Sequence, residues 1–497
     1  MSVERNLPLV RERKQAILKG DPDRAAEQKK LGKLTARERI GLLFDAASFV
    51  ELDTLAGKNG ESGVITGYGL IDGQPVYVYA QDYTVLGGAV GAEQARKIVK
   101  VQELAQKTGS PVIAMLDSRG ARLLEGIEAV DAYARISAKT ASLSGVVPQI
   151  ALVMGQCAAS GAMIAAMNDI VIVAESGRVF MNGPQVVSAN TGDTVDAKAL
   201  GGPEAAMESG LAALACAGDE EAIACARRIV AMLPGNNLED APVNFTQADD
   251  MNRALPAFNA IDTVTDIKEV ISAVSDGCAP IELYANWAPE MVTCLAAIGG
   301  RTVGIVGTQP SVGGGELTSE GCRKAARFVR FCDCFSIPVV TFVDTLGIAV
   351  TGKDGQGELA RACAQLNAAY ADATTARLAV VTGNAIAVGY MALASRPVAD
   401  MVYAWPGAVI APLTTQAAVQ VLSVGKLKGI KNPNEVRAEL EKDYQDNIAD
   451  GLNAAKLGLV DDVIEPAETR QMLAAALEML AAKREVGPAK KHGNLPL

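Results

Sequence analysis

Two short runs of small residues carry the chemistry open to this chain. At Ala158-Ala159-Ser160-Gly161-Ala162 a strand-like segment gives way to a helix-like one, and Ile386-Ala387-Val388-Gly389-Tyr390 repeats the pattern. The first N–H groups of a helix have no internal partner and lie at the positive end of its dipole. Two of them aimed at one point form an oxyanion hole, worth about 3–4 kcal/mol per strong donor in well-studied enzymes. The candidate donors are the first helical amides of each run. Small residues also serve tight helix–sheet packing, and both roles fit either turn taken alone.

Other catalytic devices are scarce. The chain has one histidine, His492, six residues from the end of the sequence. That excludes Ser–His–Asp chemistry, His-ligated metals and a His base in the core. Nine scattered cysteines without a CxxC pair give no zinc ribbon, so no metal is expected, and they fit reduced core positions in a cytoplasmic protein. A net charge of −11 argues against nucleic acid as a partner. No run of 18 apolar residues predicts a membrane span, and the basic N-terminus lacks the apolar core of a secretory signal.

The elements that must position the two turns repeat at a fixed interval. Gly73, Val76, Gly87, Gly88, Lys97, Pro111, Asp117 and Gly120 recur as Gly300, Val303, Gly314, Gly315, Lys324, Pro338, Asp344 and Gly347. The differences 300 − 73 and 347 − 120 both give 227. Gly155 and Gly161 recur one residue later, as Gly383 and Gly389. Two copies of one α/β unit are implied, divided within the Pro/Asn/Asp-rich segment 233–259. We set the domains at 1–250 and 251–497.

Within the first copy the pattern predicts a capped helix over 34–49 with Thr35 and Glu38 as its capping box, and hairpin strands 63–66 and 76–81 about Asp72-Gly73. It then predicts a helix over 91–107, a strand 112–116, a helix 127–144, a strand 149–154, a helix 162–167 and a strand 170–173. The second copy should run through strand 303–306, helix 319–335, strand 339–343, helix 357–371, strand 378–382, helix 390–394 and strand 399–403. Alternation of this kind requires parallel crossovers. Asp117 and Asp344 end matching strands, where capping of the turns at Gly120 and Gly347 is the favoured role. Lys97 and Lys324 read as solvated helix positions, with phosphate contact as the alternative.

At the level of whole segments the chain resembles the carboxyltransferase subunits of biotin-dependent acyl-CoA carboxylases and decarboxylases. The propionyl-CoA carboxylase β chain and the methylmalonyl-CoA decarboxylase α subunit are of this kind. The resemblance is carried by residues 34–53, 80–91 (AQDYTVLGGAVG), 95–126, 304–317 (GIVGTQPSVGGGEL), 324–347, 399–411 and 490–497. It implies two tandem crotonase-like domains, the first on the acyl-CoA side and the second on the biotin side. It also implies a dimer-based homo-oligomer, commonly a hexamer, with biotin held covalently on a partner. Carried onto this sequence, the resemblance places one amide pair at Ser160 and Gly161, to stabilise a thioester enolate, and a second at Val388 and Gly389, to stabilise the ureido oxygen of biotin. Gly87, Gly88, Gly120, Ala121 and Arg122 fall in segments around the acyl-CoA pocket; for Arg122, a CoA phosphate contact and a structural ion pair are both open.

No Met-Lys-Met biotinylation motif, ATP-grasp loop or Walker loop is present. The resemblance therefore calls for a biotin carboxyl carrier protein or domain, and for a biotin carboxylase or membrane decarboxylase subunit. In the latter case a cytoplasmic chain would sit peripherally on a membrane complex. Ser160 and Val388 stand where the family carries glycine, Thr345-Leu346-Gly347-Ile348 replaces a Pro-Gly-Phe loop, and Met391 occupies an acyl-selecting position. The Ser160 and Val388 departures support one alternative, a catalytically weak scaffold subunit; the other is a crotonase-type acyl-CoA hydratase or isomerase, against which the two fused units speak.

Overall fold

A computed structural model describes residues 3–57, 62–244, 246, 248–277, 279–424 and 432–494. Packing divides the chain into two units, Met1–Glu239 and Asp240–Leu497. The division falls inside the segment marked by its turn-forming composition, earlier than the boundary at 250. Asn244 N–H donates to Gly300 O and Thr302 N–H to Pro242 O, which fastens this stretch to the second unit.

The first unit contains strands β1 (Val50–Leu52), β2 (Val64–Ile71), β3 (Gln74–Gln81), β4 (Val112–Leu116), β5 (Gln149–Val153), β6 (Gln156–Ala158), β7 (Ile170–Ala174), β8 (Arg178–Phe180) and β9 (Leu214–Cys216). Its main sheet has the order β1-β2-β3-β4-β5-β7-β9, antiparallel up to β3 and parallel beyond. Every residue of β4, β5 and β7 is buried. Helices cover both faces of such strands, so their sequences are unbroken apolar runs rather than alternating ones.

The second unit contains β10 (Ile281–Leu283), β11 (Met291–Ile298), β12 (Arg301–Thr308), β13 (Val339–Thr345), β14 (Arg377–Ile386), β15 (Met401–Ala404), β16 (Val409–Ala411) and β17 (Asp462–Val463). Its sheet runs β10-β11-β12-β13-β14-β15-β17, with β16 added to the far end of β14. Both ends of β11 and β12 lie 227 residues beyond those of β2 and β3 (291 − 64, 308 − 81). Even the ladder register repeats: Tyr77 faces Val112, and Gly304 faces Val339. The hairpin turns match as well, with φ of 48° and 83° at Asp72 and Gly73 and 60° and 78° at Gly299 and Gly300. Positive φ at both central residues gives the twist that suits a two-residue hairpin.

Most helices lie where the pattern puts them. Thr35 caps Ala36–Leu43 through the expected box with Glu38. Two boundaries differ in a way that matters for chemistry: the helices expected from 162 and 390 begin at Ser160 and Val388. Strand β11 is an addition to the sequence reading. The C-terminal helix Thr469–Met479 passes into a 3-10 turn. Of the family-like segment 490–497, residues 495–497 lie outside the described residues.

Arg39, with no exposed surface, organises the first unit. It donates to Asp117 Oδ2 at 3.1 Å, Asp219 Oδ2 at 2.7 Å and Met154 O at 2.9 Å. Removing one partner from a buried ionic cluster strands the others without solvent, at about 3–5 kcal/mol. Arg39→Ala should therefore lower unfolding free energy by about that amount in a urea titration, whereas Arg135→Ala, on an exposed pair with Asp131, should shift it by under about 1 kcal/mol.

Candidate functional site

Both amide turns are built the same way. Ala159 has φ 50° and ψ −118°, and Ala387 has φ 51° and ψ −114°. That is the second position of a type II′ turn, where glycine is favoured. Holding alanine there costs about 1–3 kcal/mol, and only a well-determined surrounding keeps it. The surroundings supply two bonds per turn. Ala159 N–H donates to Phe180 O on β8 and Ala387 N–H to Ala411 O on β16, while Met163 N–H and Met391 N–H donate back to the two alanine carbonyls.

The twist releases the amides that follow. Neither helix has a side-chain cap. Among the described residues the N–H groups of Ser160, Gly161, Val388 and Gly389 find no acceptor. Open donors, not internally bonded ones, thus stand at the four positions singled out from the sequence. Ser160 is exposed and Gly161 half-buried, whereas Val388 is half-buried and Gly389 buried.

A second strand-end turn lies beside each of them. Ser118 N–H donates to Gln156 O, which ties turn 117–122 to β6 four residues ahead of Ser160. Gly120, at φ 103°, takes its N–H to Ser118 Oγ, and Gly347, at φ 104°, does the same with Thr345 Oγ1. Val90 N–H donates to Gly120 O and Arg122 N–H to Val90 O; Leu317 and Ala349 repeat this around Gly347. Between those bonds the N–H groups of Ala121 and Ile348 are left without an acceptor among the described residues. Ala121 was a candidate from the sequence, but Ile348 was not proposed as a donor, although 121 + 227 leads to it.

Gly87 and Gly88 are buried within the same turn. A Cβ on Gly88 would lie 2.4 Å from Asp117 O, and one on Gly87 2.6 Å from Arg119 Cδ. Their immediate work is to let the 117–119 segment close on them. Arg122 donates to Ala89 O at 3.2 Å and Ser62 O at 3.3 Å, and its guanidinium is 3.6 Å from Glu125. Of the two roles open for it, these contacts supply the structural one.

Four residues differ from their expected roles. Asp117 and Asp344 do not cap the turns at Gly120 and Gly347; the hydroxyls of Ser118 and Thr345 do. Asp117 faces Lys33 at 2.7 Å and Arg39, with Gln28 at 3.1 Å. Asp344 accepts Asn384 N–H at 2.8 Å, and burial raises its pKa despite that bond. Lys97 and Lys324 are not solvated: both are buried, and desolvation holds each at about 8. Lys97 donates to Ser62 Oγ and Val64 O, and Lys324 to the carbonyls of Tyr284, Trp287 and Ala288. Their ammonium groups serve as interior props for loops.

Side-chain acid–base groups beside the turns are muted. Burial, with Asp117 adding to it, pushes the Cys157 thiol up to about 12. Tyr390 donates its hydroxyl to Leu459 O, and burial raises its pKa. No cluster of His, Cys, Asp or Glu with metal-binding geometry occurs among the described residues. The arrangement can therefore stabilise negative charge on oxygen through main-chain donors, once in each unit.

Comparison with known proteins agrees with that chemistry. The carboxyl transferase domain model matches residues 27–495. The chain is 39% identical to the methylmalonyl-CoA carboxyltransferase 12S subunit of Propionibacterium freudenreichii subsp. shermanii, over 100% of this chain and 98% of that one. It is 38% identical to the methylmalonyl-CoA decarboxylase subunit alpha of Veillonella parvula, over 100% of both. The crystal structure of the transcarboxylase 12S hexamer with hydrolysed methylmalonyl-CoA bound superposes with a TM-score of 0.95 at 37% identity, covering 100% of this chain and 99% of that one. The α/β fold of two tandem crotonase-like domains stands on this match.

The two glycines differ in the room around them. A Cβ on Gly389 would lie 2.3 Å from Cγ2 of Thr345, a buried side chain already bonded to Gly347. On Gly161 it would meet only Cys157 Sγ, at 3.5 Å. Overpacking costs about 1–3 kcal/mol, so Gly389→Ala should lower the thermal midpoint by several degrees, while Gly161→Ala leaves it within about 1 °C of the parent.

Proposed function

This chain belongs to the carboxyl transferase family, and from that membership we propose that its two amide turns divide one reaction between two oxygens. It is a biotin-dependent carboxyltransferase acting on acyl-CoA. Biotin, carried on a partner protein, supplies a carboxyl group at its ureido nitrogen when bound. The N–H groups of Ser160 and Gly161, with Ala121 beside them, hold the thioester oxygen as charge develops on it. Donors already in place need no reorganisation at that moment, which is why they favour the transition state over the bound ground state. The N–H groups of Val388 and Gly389, with Ile348, hold the ureido oxygen.

The observation that carries this reading is the repeated alanine at φ about 50°, followed in both copies by unpartnered amides. The different surroundings support the division of labour. Lys33, Arg39 and Arg122 gather at the first turn. At the second, Leu346, Ile348 and Ala349 fill the corresponding segment. The charges at the first turn are spent on Asp117, Asp219 and Glu125, and the exposed Leu346 and Ile348 of the second suit the uncharged bicyclic ring of biotin. With no side chain near the turns poised as a base, proton movement falls to the reacting partners, and this chain's part is orientation and charge stabilisation.

The assembly follows the same family logic. We place this chain in a homo-oligomer of the hexameric kind, served by a biotin carrier. A biotin carboxylase or a membrane decarboxylase subunit completes the cycle. No helix among the described residues is long and apolar enough to cross a membrane, so attachment to a membrane subunit would be peripheral.

The test is direct. Purified chain incubated with methylmalonyl-CoA should release CO2 only when free biotin is added, with a rate that saturates in biotin, and should not hydrate crotonyl-CoA. Hydration without biotin would replace this reading with a hydratase. Absence of both activities, with a biotinylated protein co-purifying, would leave a scaffold.

A further inference from the structure

Around the first turn stand four basic side chains, and three of them are neutralised. Lys33 and Arg39 face Asp117, with Arg39 shared with Asp219, and Arg122 faces Glu125. Arg119 has no carboxylate within ion-pair distance among the described residues, although it is held in place from several sides. Its N–H donates to Gly87 O at 2.9 Å. Its Nε donates to Tyr83 Oη at 2.8 Å, and its guanidinium lies over the Tyr83 ring, 5.1 Å from the centroid. Lys33 Nζ lies 4.6 Å from the same centroid. The side-chain stem runs in the slot left by the missing Cβ of Gly87. The Nε–H is thus committed to Tyr83, and the outer edge of an exposed guanidinium is presented to solvent.

The second copy lacks this device. Leu346 and Pro310 stand at the positions of Arg119 and Tyr83, at the same interval of 227 (346 − 119, 310 − 83). Backbone geometry is preserved across that exchange: Leu346 N–H still donates to the equivalent glycine carbonyl, Gly314 O. The turn therefore does not need arginine in order to fold. Ordering a long side chain costs conformational entropy. An ordered cation with no anion of its own is a receptor for one, and a guanidinium whose terminal Nη edge is free matches the paired oxygens of a phosphate or carboxylate.

We propose that Arg119 is a binding and specificity-determining residue that receives an anionic oxygen group of the acyl-CoA. This rests on the reading that the first turn takes the thioester. Its position supports the assignment, since Ser118, the preceding residue, is bonded to Gln156 on the strand that delivers Ser160 and Gly161. The group has two sources within one ligand: a phosphate of the CoA moiety, or a free carboxylate on the acyl chain.

Calorimetric titration of the full-length protein with two probes separates them. Free CoA carries the phosphates and no acyl carboxylate; a malonyl-type thioester of pantetheine carries the carboxylate and no phosphate. Arg119→Leu, which installs the residue of the second copy, should weaken one probe by about tenfold or more and leave the other within about twofold. Selective loss of CoA identifies a phosphate contact, and selective loss of the pantetheine ester a carboxylate contact. Arg119→Lys should recover part of the affinity, because charge is restored without the planar fork. Unchanged binding of both probes to a folded Arg119→Leu protein overturns the assignment of Arg119 alone. Failure of the parent protein to bind either probe overturns the acyl-CoA reading of the first turn and this inference with it.

Discussion

The arrangement rests on a carboxylate packed against a bare Cα at the end of a central strand. A Cβ on Gly155 would lie 1.9 Å from Asp117 Oδ1, and one on Gly383 2.4 Å from Asp344 Oδ2. The strand that leads to each amide turn passes this carboxylate at a distance only glycine permits. A carboxylate so deeply placed must be neutralised or hydrogen-bonded. The first unit answers with Lys33, Arg39 and Gln28, brought in from the N-terminal segment. The second answers with one neighbour, Asn384, through its backbone and side-chain N–H groups. One duplicated constraint thus has an ionic solution and a neutral one, and the electrostatic character of each turn follows from the solution adopted.

Duplication preserved backbone and allowed side chains to diverge. The strained alanine, the paired hairpins, the glycines at φ near 103° and the buried lysines have counterparts in both units. Main-chain donors are well suited to this history, because an N–H group survives almost any substitution at its own residue. Serine at 160 and valine at 388 therefore leave the donors in place. They change the side chain beside each donor.

Much of this was legible from residue order. The interval of 227 located the copies, the parallel strands and the two turns came from apolar runs ending in small residues, and the family resemblance placed the four amides within those turns. Charged residues were the weak point. Lys97 and Lys324 follow a helical pattern beside Ile98 and Ala325, and a lysine on a helix is usually solvated. Only the loops folding over them, at Ser62–Val64 and Tyr284–Ala288, bury their ammonium groups. Asp117 was misread for a similar reason: Lys33 and Arg39 precede it by 84 and 78 residues, so nothing local announces the pairing. Strand β11 was overlooked although the interval pointed to it. Arg119 stood out only once the two turns were set side by side.

One contrast between the units has a mechanical consequence. In the first, the chain breaks at Met154–Gly155, so that β5 belongs to the main sheet and β6 pairs only with β8. In the second, the corresponding stretch is the uninterrupted β14, laddered to β13, β15 and β16 up to the residue before Ala387. The donors at 388 and 389 follow one continuous strand, and those at 160 and 161 follow a short strand set off from the main sheet. On the proposed division of labour, it is the first unit, with its interrupted strand, that meets acyl chains of different bulk.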